Sequence, residues 1–522
     1  MKRACLLLAC WLVCQASWSA AAEYDLVIDN VRIIDGSGNP WYRNDIAIAG
    51  DRIAGIGDYS TAMAITRIDG TELYAAPGFI DTHSHTADAL LDRQRSDVPG
   101  LLSQGITAVL INPDGGGSTD IASQIATLRE HGTGVNVGLF LPHGEIRKQV
   151  MAMADRGPTD SELSLMRDLV RQGMLAGAFG LSSGTFYAPG SFAANDELIA
   201  IMKEVAIYGG AYNSHIRDES NYSIGVVAAV EEVIDVGRRT GAPVVVTHIK
   251  ALGPPVWGMA EVLTRNIEQA RREGVQVYTD QYPYIASHTS LDAALLPRWA
   301  FDGGWPATVA RFSDLNQRPE LEAAMEENLA RRGGADRIQF SRAPETPAIV
   351  GQTLQAWADQ KETGAITAAI NLLLQGRPGI ISFNMSDADL ETFMRAPWNM
   401  TASDGRNPPW LEGSPHPRGF GTFPRKIRKY VLEQQIITLP DAVRSMTSLP
   451  AQVYQIHQRG LLKQGYYADI TLFDLDEIKD NATFESPWQY ASGIQHVIVN
   501  GGVAWSNGQL TQVRHGRVLQ HE

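Results

Sequence analysis

Ala76-Pro-Gly-Phe-Ile-Asp81-Thr-His83-Ser-His85 is the stretch on which the reading of the chain turns. It predicts a buried strand, opened by glycine and ended by two histidines one residue apart. Strand side chains repeat every two residues, so both imidazoles are expected on one side. Two neutral imidazoles at the mouth of a strand suit a metal ion, but two ligands do not close a zinc site. An extended loop with two hydrogen-bonded histidines would read the same way. The choice depends on whether other strand ends bring further ligands.

Working outward, strand-like runs alternate with helix-like ones. After the opening strand come 106–112, 135–141, 177–182, 210–215, 243–248, 275–280 and 398–404. Between them, Thr159-Asp-Ser-Glu162 is a capping box ahead of a helix over 163–175, and an apolar-periodic helix over 224–239 ends near Gly241. Eight strands in alternation with helices predict an α/β fold, a (β/α)8 barrel of the TIM type over 75–455, with a doubly wound sheet as the alternative. The stretch between strands seven and eight is too long for a connection. It is expected to be an inserted lid subdomain over 288–395, with helices near 318–332 and 353–363. Lids commonly carry substrate choice.

Before the barrel, from Tyr24 to Thr71, short alternating runs are broken by Asp35-Gly, Gly50-Asp and Asp69-Gly, a hairpin pattern. The same texture returns in Ala468–Asp474 and His496–Trp505. Small sheets need a partner face, so 23–74 and 456–522 are expected to form one composite β-sandwich domain.

The chain of 522 residues has a formal net charge of -14 with no basic cluster, which argues against nucleic acid as a partner. Met1-Lys-Arg, the apolar run Ala4–Cys14 and the small residues Ser17–Ala22 read as a secretory signal peptide over 1–22. That run is shorter than a spanning helix requires. All three cysteines, Cys5, Cys10 and Cys14, lie in it, so a mature, secreted or periplasmic chain would have no cysteine metal ligand and no membrane span.

In a barrel of this kind, reacting groups lie at the C-terminal ends of the strands. His83 and His85 end the first predicted strand, His215 the fifth, His248 the sixth and Asp404 the eighth. Far apart in sequence, they would converge on one rim. Nitrogen and carboxylate ligands suit zinc, one ion or two, with other divalent metals possible.

With these residues in view, the chain resembles the amidohydrolase superfamily and, within it, the N-acyl-D-amino-acid deacylases (D-aminoacylases). The resemblance rests on Gly78–His85, Gly105-Ile-Thr, Gly177–Gly190, Ser214–Glu219, His248-Ile-Lys250, Asp280–Tyr284, Ser403-Asp404-Gly405, His416-Pro-Arg418, Gly421–Arg425 and Thr447–Ala451. It implies a one- or two-metal barrel enzyme with Asp404 as catalytic base. It also exposes a departure. Related deacylases place a metal-binding cysteine after strand two in an Asn-Cys-Gly turn, where this chain has Asn112-Pro-Asp114-Gly115. Aligned on the glycine, Asp114 takes the cysteine's place as a ligand, or is only a turn former. No lysine occurs in 177–184 to serve as the carboxylated bridge of hydantoinases.

The implied reaction is metal-dependent hydrolysis of the amide of an N-acyl amino acid, the D-series following from the resemblance alone. Lys250, on the strand face of His248, and Arg418, after strand eight, could pair with a substrate carboxylate or form internal salt bridges. Tyr187 and Tyr282 are hydrogen-bond donors by analogy with the family. Arg217, Asp218 and Glu219 are expected to support the ligands. His288 stands where the family's carboxylate-binding turn has a small residue. The rival reading is a dipeptidase, whose substrate amine could meet Asp387 or Asp389. From another class, the chain could be a catalytically silent metal-binding protein.

Overall fold

The computed structural model of the protein describes residues 22–511 and 513–521. The expected signal segment, but for Ala22, lies outside the described residues. Five strands come first: β1 (Tyr24–Ile33), β2 (Tyr42–Ala49), β3 (Arg52–Gly57), β4 (Ala64–Asp69) and β5 (Tyr74–Pro77). The parallel series is β6 (Phe79–Asp81), β7 (Ile106–Ile111), β8 (Asn136–Leu139) with β9 (Leu141–Pro142), β10 (Gly180–Gly184), β11 (Ala211–His215), β12 (Val244–Val246) and β13 (Val277–Gln281). After three strands β14 (Ser287–Ser290), β15 (Ile338–Arg342) and β16 (Gly379–Ser382), β17 (Asn399–Thr401) completes it. The chain ends with β18 (Ile470–Phe473), β19 (Ile494–Val499), β20 (Gly502–Ser506) and β21 (Gln509–Leu510).

The parallel strands form two hydrogen-bonded sheets, β6-β7-β8 and β17-β13-β12-β11-β10-β9. β8 and β9 are two halves of one strand on either side of Phe140, so that strand serves both sheets. At the other junction, Asp404 N donates to His83 O and His85 N to Gly405 O, each at 2.9 Å, with a parallel bridge between Ser84 and Gly405. The α/β class expected from the alternation is the class observed. Val244–Val246, and Ile106–Ile111 apart from Thr107, are apolar and fully buried, as expected of parallel strands covered on both faces, whereas Gly180–Gly184 and Ala211–His215 bury polar side chains.

The helices follow their sequence signals. Asp160–Leu175 carries the capping box, with Glu162 N bonded to Thr159 Oγ1 and Thr159 N to Glu162 Oε2. Val226–Thr240 stops at Gly241, whose φ of 71° is left-handed. That helix buries Val226, Val230, Val233 and Ile234, each adding about 1.5–3 kcal/mol when fully buried.

Two expectations need correction. The opening stretch is two strands, not one. Pro77 ends β5, Gly78 donates to Asp469 O at 2.8 Å, and β6 starts a different sheet. A Cβ on Gly78 would stand 2.1 Å from Thr107 Oγ1, so only glycine passes there. The terminal pieces are, in hydrogen bonding, one nine-stranded sheet, β21-β20-β19-β18-β5-β1-β2-β3 with β4 on β1. β5 pairs parallel with β1 and antiparallel with β18, which joins the two ends of the chain directly. Leu26, Ile28, Ile48, Ile470 and Ile498 form its own core, while Phe473, Val497 and Trp505 pack with the parallel strands.

Between β13 and β17, the antiparallel sheet β14-β16-β15 and helices including Arg318–Arg331 and Leu354–Gln360 enclose a separate core around Phe312, Leu321, Phe340 and Ile380. Its β14 and β15 supply one wall of the site described next.

Candidate active site

A cavity of about 720 Å³ opens at the C-terminal ends of the parallel strands. His215 closes β11. His248 lies two residues beyond β12 and Asp404 three beyond β17, both with left-handed φ, 37° and 48°. Asp114 follows β7 in a tight turn, φ 55°. Backbone in this region is costly for non-glycine residues and tends to occur where a site demands it. The turn is pinned from below. Gly115 N donates to Ser182 Oγ at 3.1 Å, and Ser182 Oγ donates to Asn112 O at 2.6 Å. A Cβ on Gly115 would come within 2.9 Å of Gly144 N.

All six residues singled out from the sequence as ligands converge. His83, His85, Asp114 and Asp404 bring one ligand atom each within 4.8 Å of one another, and Asp114, His215 and His248 do the same. Asp114 belongs to both groups. Its Oδ1 is 3.3 Å from His83 Nε2 and 3.5 Å from His248 Nε2, and its Oδ2 is 3.3 Å from His85 Nε2. Asp404 Oδ1 lies 3.2 Å from His85 Nε2 and 3.7 Å from His83 Nε2.

Both ring nitrogens of His83 and of His215, and Asp114 Oδ1, are buried without a hydrogen-bond partner among the described residues. Orphaned buried nitrogen and carboxylate donors aimed at one another fit a divalent cation, whose binding would satisfy them together. Burial pushes both carboxyls upward. His83, with His215 and His248, outweighs this at Asp114, and Arg418, with His248, at Asp404. Both acids are thereby held well below the usual carboxylate range.

Glu219 supports the group. Its Oε1 is 3.2 Å from His248 Nδ1, a contact that orients the ring and leaves Nε2 facing Asp114. Arg217 and Asp218 act further back: Arg217 pairs with Glu232 at 2.8 Å, and Asp218 accepts from the amides of Ser220, Ser223 and Gly225.

The expected substrate contacts are placed differently from one another. Lys250 and Arg418 both line the cavity, yet both have internal partners. Lys250 Nζ donates to Glu219 Oε1 and contacts His248 Nδ1 at 2.7 Å. Arg418 Nη1 is 2.8 Å from Asp404 Oδ2. Of the two roles the sequence left open, each makes the internal salt bridge, because each stands beside a carboxylate held in the same cavity. Tyr187 and Tyr282 line the cavity as well. Tyr187 Oη is 3.3 Å from Thr289 Oγ1, and the Tyr282 ring lies under Arg418 at 4.6 Å.

The acids considered for a dipeptide amine are elsewhere. Asp389 accepts from Gly258 N and Ala260 N at the start of the helix Ala260–Arg272, and Asp387 pairs with Lys429. Neither lines the cavity, so the rival dipeptidase reading loses its amine-binding residue.

Sequence reasoning missed several neighbours. Asp81 accepts from Ser403 N at 2.8 Å and from Ser403 Oγ, tying the first strand to the residue before Asp404. Asp280 accepts from His248 N. Their positions, two residues before His83 and at the end of β13, were the available signal. His288 lines the cavity with Nε2 3.0 Å from Ser341 Oγ. Burial, with Arg418 and Arg406 nearby, pulls it down to about 3, so it is neutral.

Residues 67–504 match the amidohydrolase family, and the chain belongs to that family. Within it, the chain stands with the D-aminoacylases. It is 34% identical to a D-aminoacylase of Alcaligenes xylosoxydans xylosoxydans over 96% of this chain and 99% of that one. An N-acyl-D-glutamate deacylase from Bordetella bronchiseptica, solved with zinc and a phosphonate mimic of the tetrahedral intermediate, superposes with a TM-score of 0.82 and 31% identity. That match covers 95% of this chain and 99% of the other. A D-aminoacylase studied for its binuclear metal center matches equally, at 0.82 and 29% identity, over 95% and 100% of the two chains.

Proposed function

We propose that the protein hydrolyses N-acyl-D-amino acids, adding water across the amide to release a carboxylic acid and a free D-amino acid. The observation that carries this reading is Asp114 shared between two histidine groups beside Asp404, in a chain alike to D-aminoacylases along its length. His83, His85, Asp114, His215, His248 and Asp404 would hold zinc, as one ion or two. Such an ion supplies Lewis acidity, easing deprotonation of water and polarising the scissile carbonyl near neutral pH.

Asp404 would accept the proton of the attacking water on its carboxylate and return it to the departing amine nitrogen. Arg418 keeps Asp404 ionised between turnovers. Glu219 and Asp280 hold His248, and Asp81 holds the Ser403-Asp404 turn, so the acceptor oxygen is placed before substrate arrives. Tyr187 and Tyr282 present hydroxyls to the bound substrate, and Lys250 and Arg418 line the same cavity, where each can add a hydrogen bond to the substrate's α-carboxylate while keeping its own carboxylate partner.

We read the eight parallel strands as a (β/α)8 barrel over 75–455, joined through β9 and through the bonds between His83, His85 and the 404–405 turn. The insertion is 288–395, and the sheet domain is 23–74 plus 456–522. We also infer export to the periplasm or exterior, from the signal-like segment 1–22. Among the described residues no helix is long and apolar enough to cross a membrane. An N-terminus beginning near residue 22 or 23 in protein recovered outside the cytoplasm would support export, and an intact Met1 would refute it.

The direct test is a hydrolysis screen of zinc-loaded protein on paired N-acetyl-D- and N-acetyl-L-amino acids beside dipeptides. Release of the D-amino acid is expected. Cleavage of dipeptides alone would overturn the proposal.

A further inference from the structure

The cations around the cavity divide unevenly. Five are matched by carboxylates: Lys250 by Glu219, Arg418 by Asp404, Arg95 by Asp92, Arg342 by Glu412 and Arg377 by Asp292. Among the described residues, two lining arginines have no acidic partner. Arg406 is exposed at the mouth, where water solvates it. Arg332 is different, with only 1% of its surface accessible.

Arg332 follows the helix Arg318–Arg331 in the insertion and reaches the cavity wall near Ser287 and Leu252. Its Nε donates to Ala294 O at 3.3 Å. Nη1 reaches the Asn384 carboxamide oxygen at 3.3 Å when that amide is turned to bond Ser287 and Ser382. The guanidinium carbon is 5.8 Å from the ring of Tyr222, whose buried hydroxyl has no partner among the described residues. One carbonyl, one amide and an aromatic face do not neutralise a buried guanidinium, and an unmatched buried charge is costly. A carboxylate placed against it would form the charge-assisted, two-pronged contact that guanidinium geometry favours.

The position limits which carboxylate can reach it. An α-carboxylate is one carbon from the scissile nitrogen and must stay beside His83, His85 and Asp404. Arg332 touches none of the six converging side chains and stands on the insertion's side of a cavity much larger than an N-acetyl amino acid. Resting on the deacylase reading, we propose that Arg332 is a specificity-determining residue that receives a second substrate carboxylate, carried on the amino-acid side chain or on the acyl group.

The test compares kcat/KM of the zinc-loaded wild type within two pairs: N-acetyl-D-glutamate against N-acetyl-D-glutamine, and N-succinyl-D-leucine against N-acetyl-D-leucine. The acidic member is expected to be favoured at least about tenfold in one pair, since a site built to bond a charged group rejects the analogue lacking it. The favoured pair tells which end of the substrate carries the carboxylate. Arg332→Gln should remove that preference through KM while leaving the neutral substrates within about twofold, and Arg332→Lys should keep part of it. Equal use of acid and neutral members in both pairs, or an equal loss on both in Arg332→Gln, overturns the inference. Should the variant not fold, the wild-type ratios decide alone. Turnover without preference removes this inference only, whereas no turnover on any D-substrate removes the deacylase reading and this inference with it.

Discussion

Asp114 turns Oδ1 toward His83 Nε2 at 3.3 Å, and the same oxygen is 3.5 Å from His248 Nε2. One carboxylate thus stands between the histidines of the first strand and those of the fifth and sixth. Replacing it with alanine should lower the bound metal per chain by about one ion in a two-ion site, while His83 and His85 keep a residual site. Metal analysis by mass spectrometry of dialysed wild type and Asp114→Ala checks this. Unchanged stoichiometry would assign Asp114 to the turn alone.

Asp404 is the acid beside both histidines of the first strand and is kept ionised. Asp404→Asn retains the shape and removes the proton acceptor, so kcat should fall by roughly 10²–10⁴. Steady-state rates on N-acetyl-D-amino acids, with metal content measured alongside, test it. Activity equal to wild type would remove Asp404 from proton transfer.

Arg418 should set the acidic limb of the pH profile. Burial raises the Asp404 carboxyl, and Arg418, with His248, more than offsets this. Removing the guanidinium in Arg418→Gln therefore favours the protonated acid, and protonation begins at higher pH. The low-pH limb of kcat/KM should move upward. A limb that stays in place or moves down contradicts the pairing.

Lys426 provides a stability test away from the site. It is buried between Thr401 Oγ1 and Ser445 Oγ, each at 2.8 Å, and burial pulls its pKa down from 10.5 to about 7. Between those values the unfolded chain binds the proton more tightly than the native one, so stability rises as pH increases from about 7 toward 10. Lys426→Met removes that slope. Melting temperatures of both proteins at pH 7 and pH 9 should show the variant gaining more over wild type at pH 7. A constant difference would contradict the depressed value.

Much of the molecule was legible from the order of residues. Alternating runs placed all eight parallel strands, and Thr159-Asp-Ser-Glu162 and Gly241 marked helix ends, because these signals are local: side-chain period, a capping hydroxyl, a residue free to take positive φ. The four clustered histidines and Asp404 were legible for the same reason, each falling at or just beyond the end of a recognisable strand.

What tertiary structure alone decided are relations between residues hundreds of positions apart. That Ala76–Ile80 is split between two sheets depends on Thr107 crowding Gly78 and on Asp469 O accepting the Gly78 N–H. That Lys250 faces Glu219, and Arg418 faces Asp404, depends on where neighbouring strands set their carboxylates. The sequence by itself determined which elements form and which residues can bind a metal, through local geometry and side-chain chemistry. Only the packed chain decided which charges neutralise one another and which, like Arg332, are left for a substrate, because pairing depends on distances in space that the order of residues does not contain.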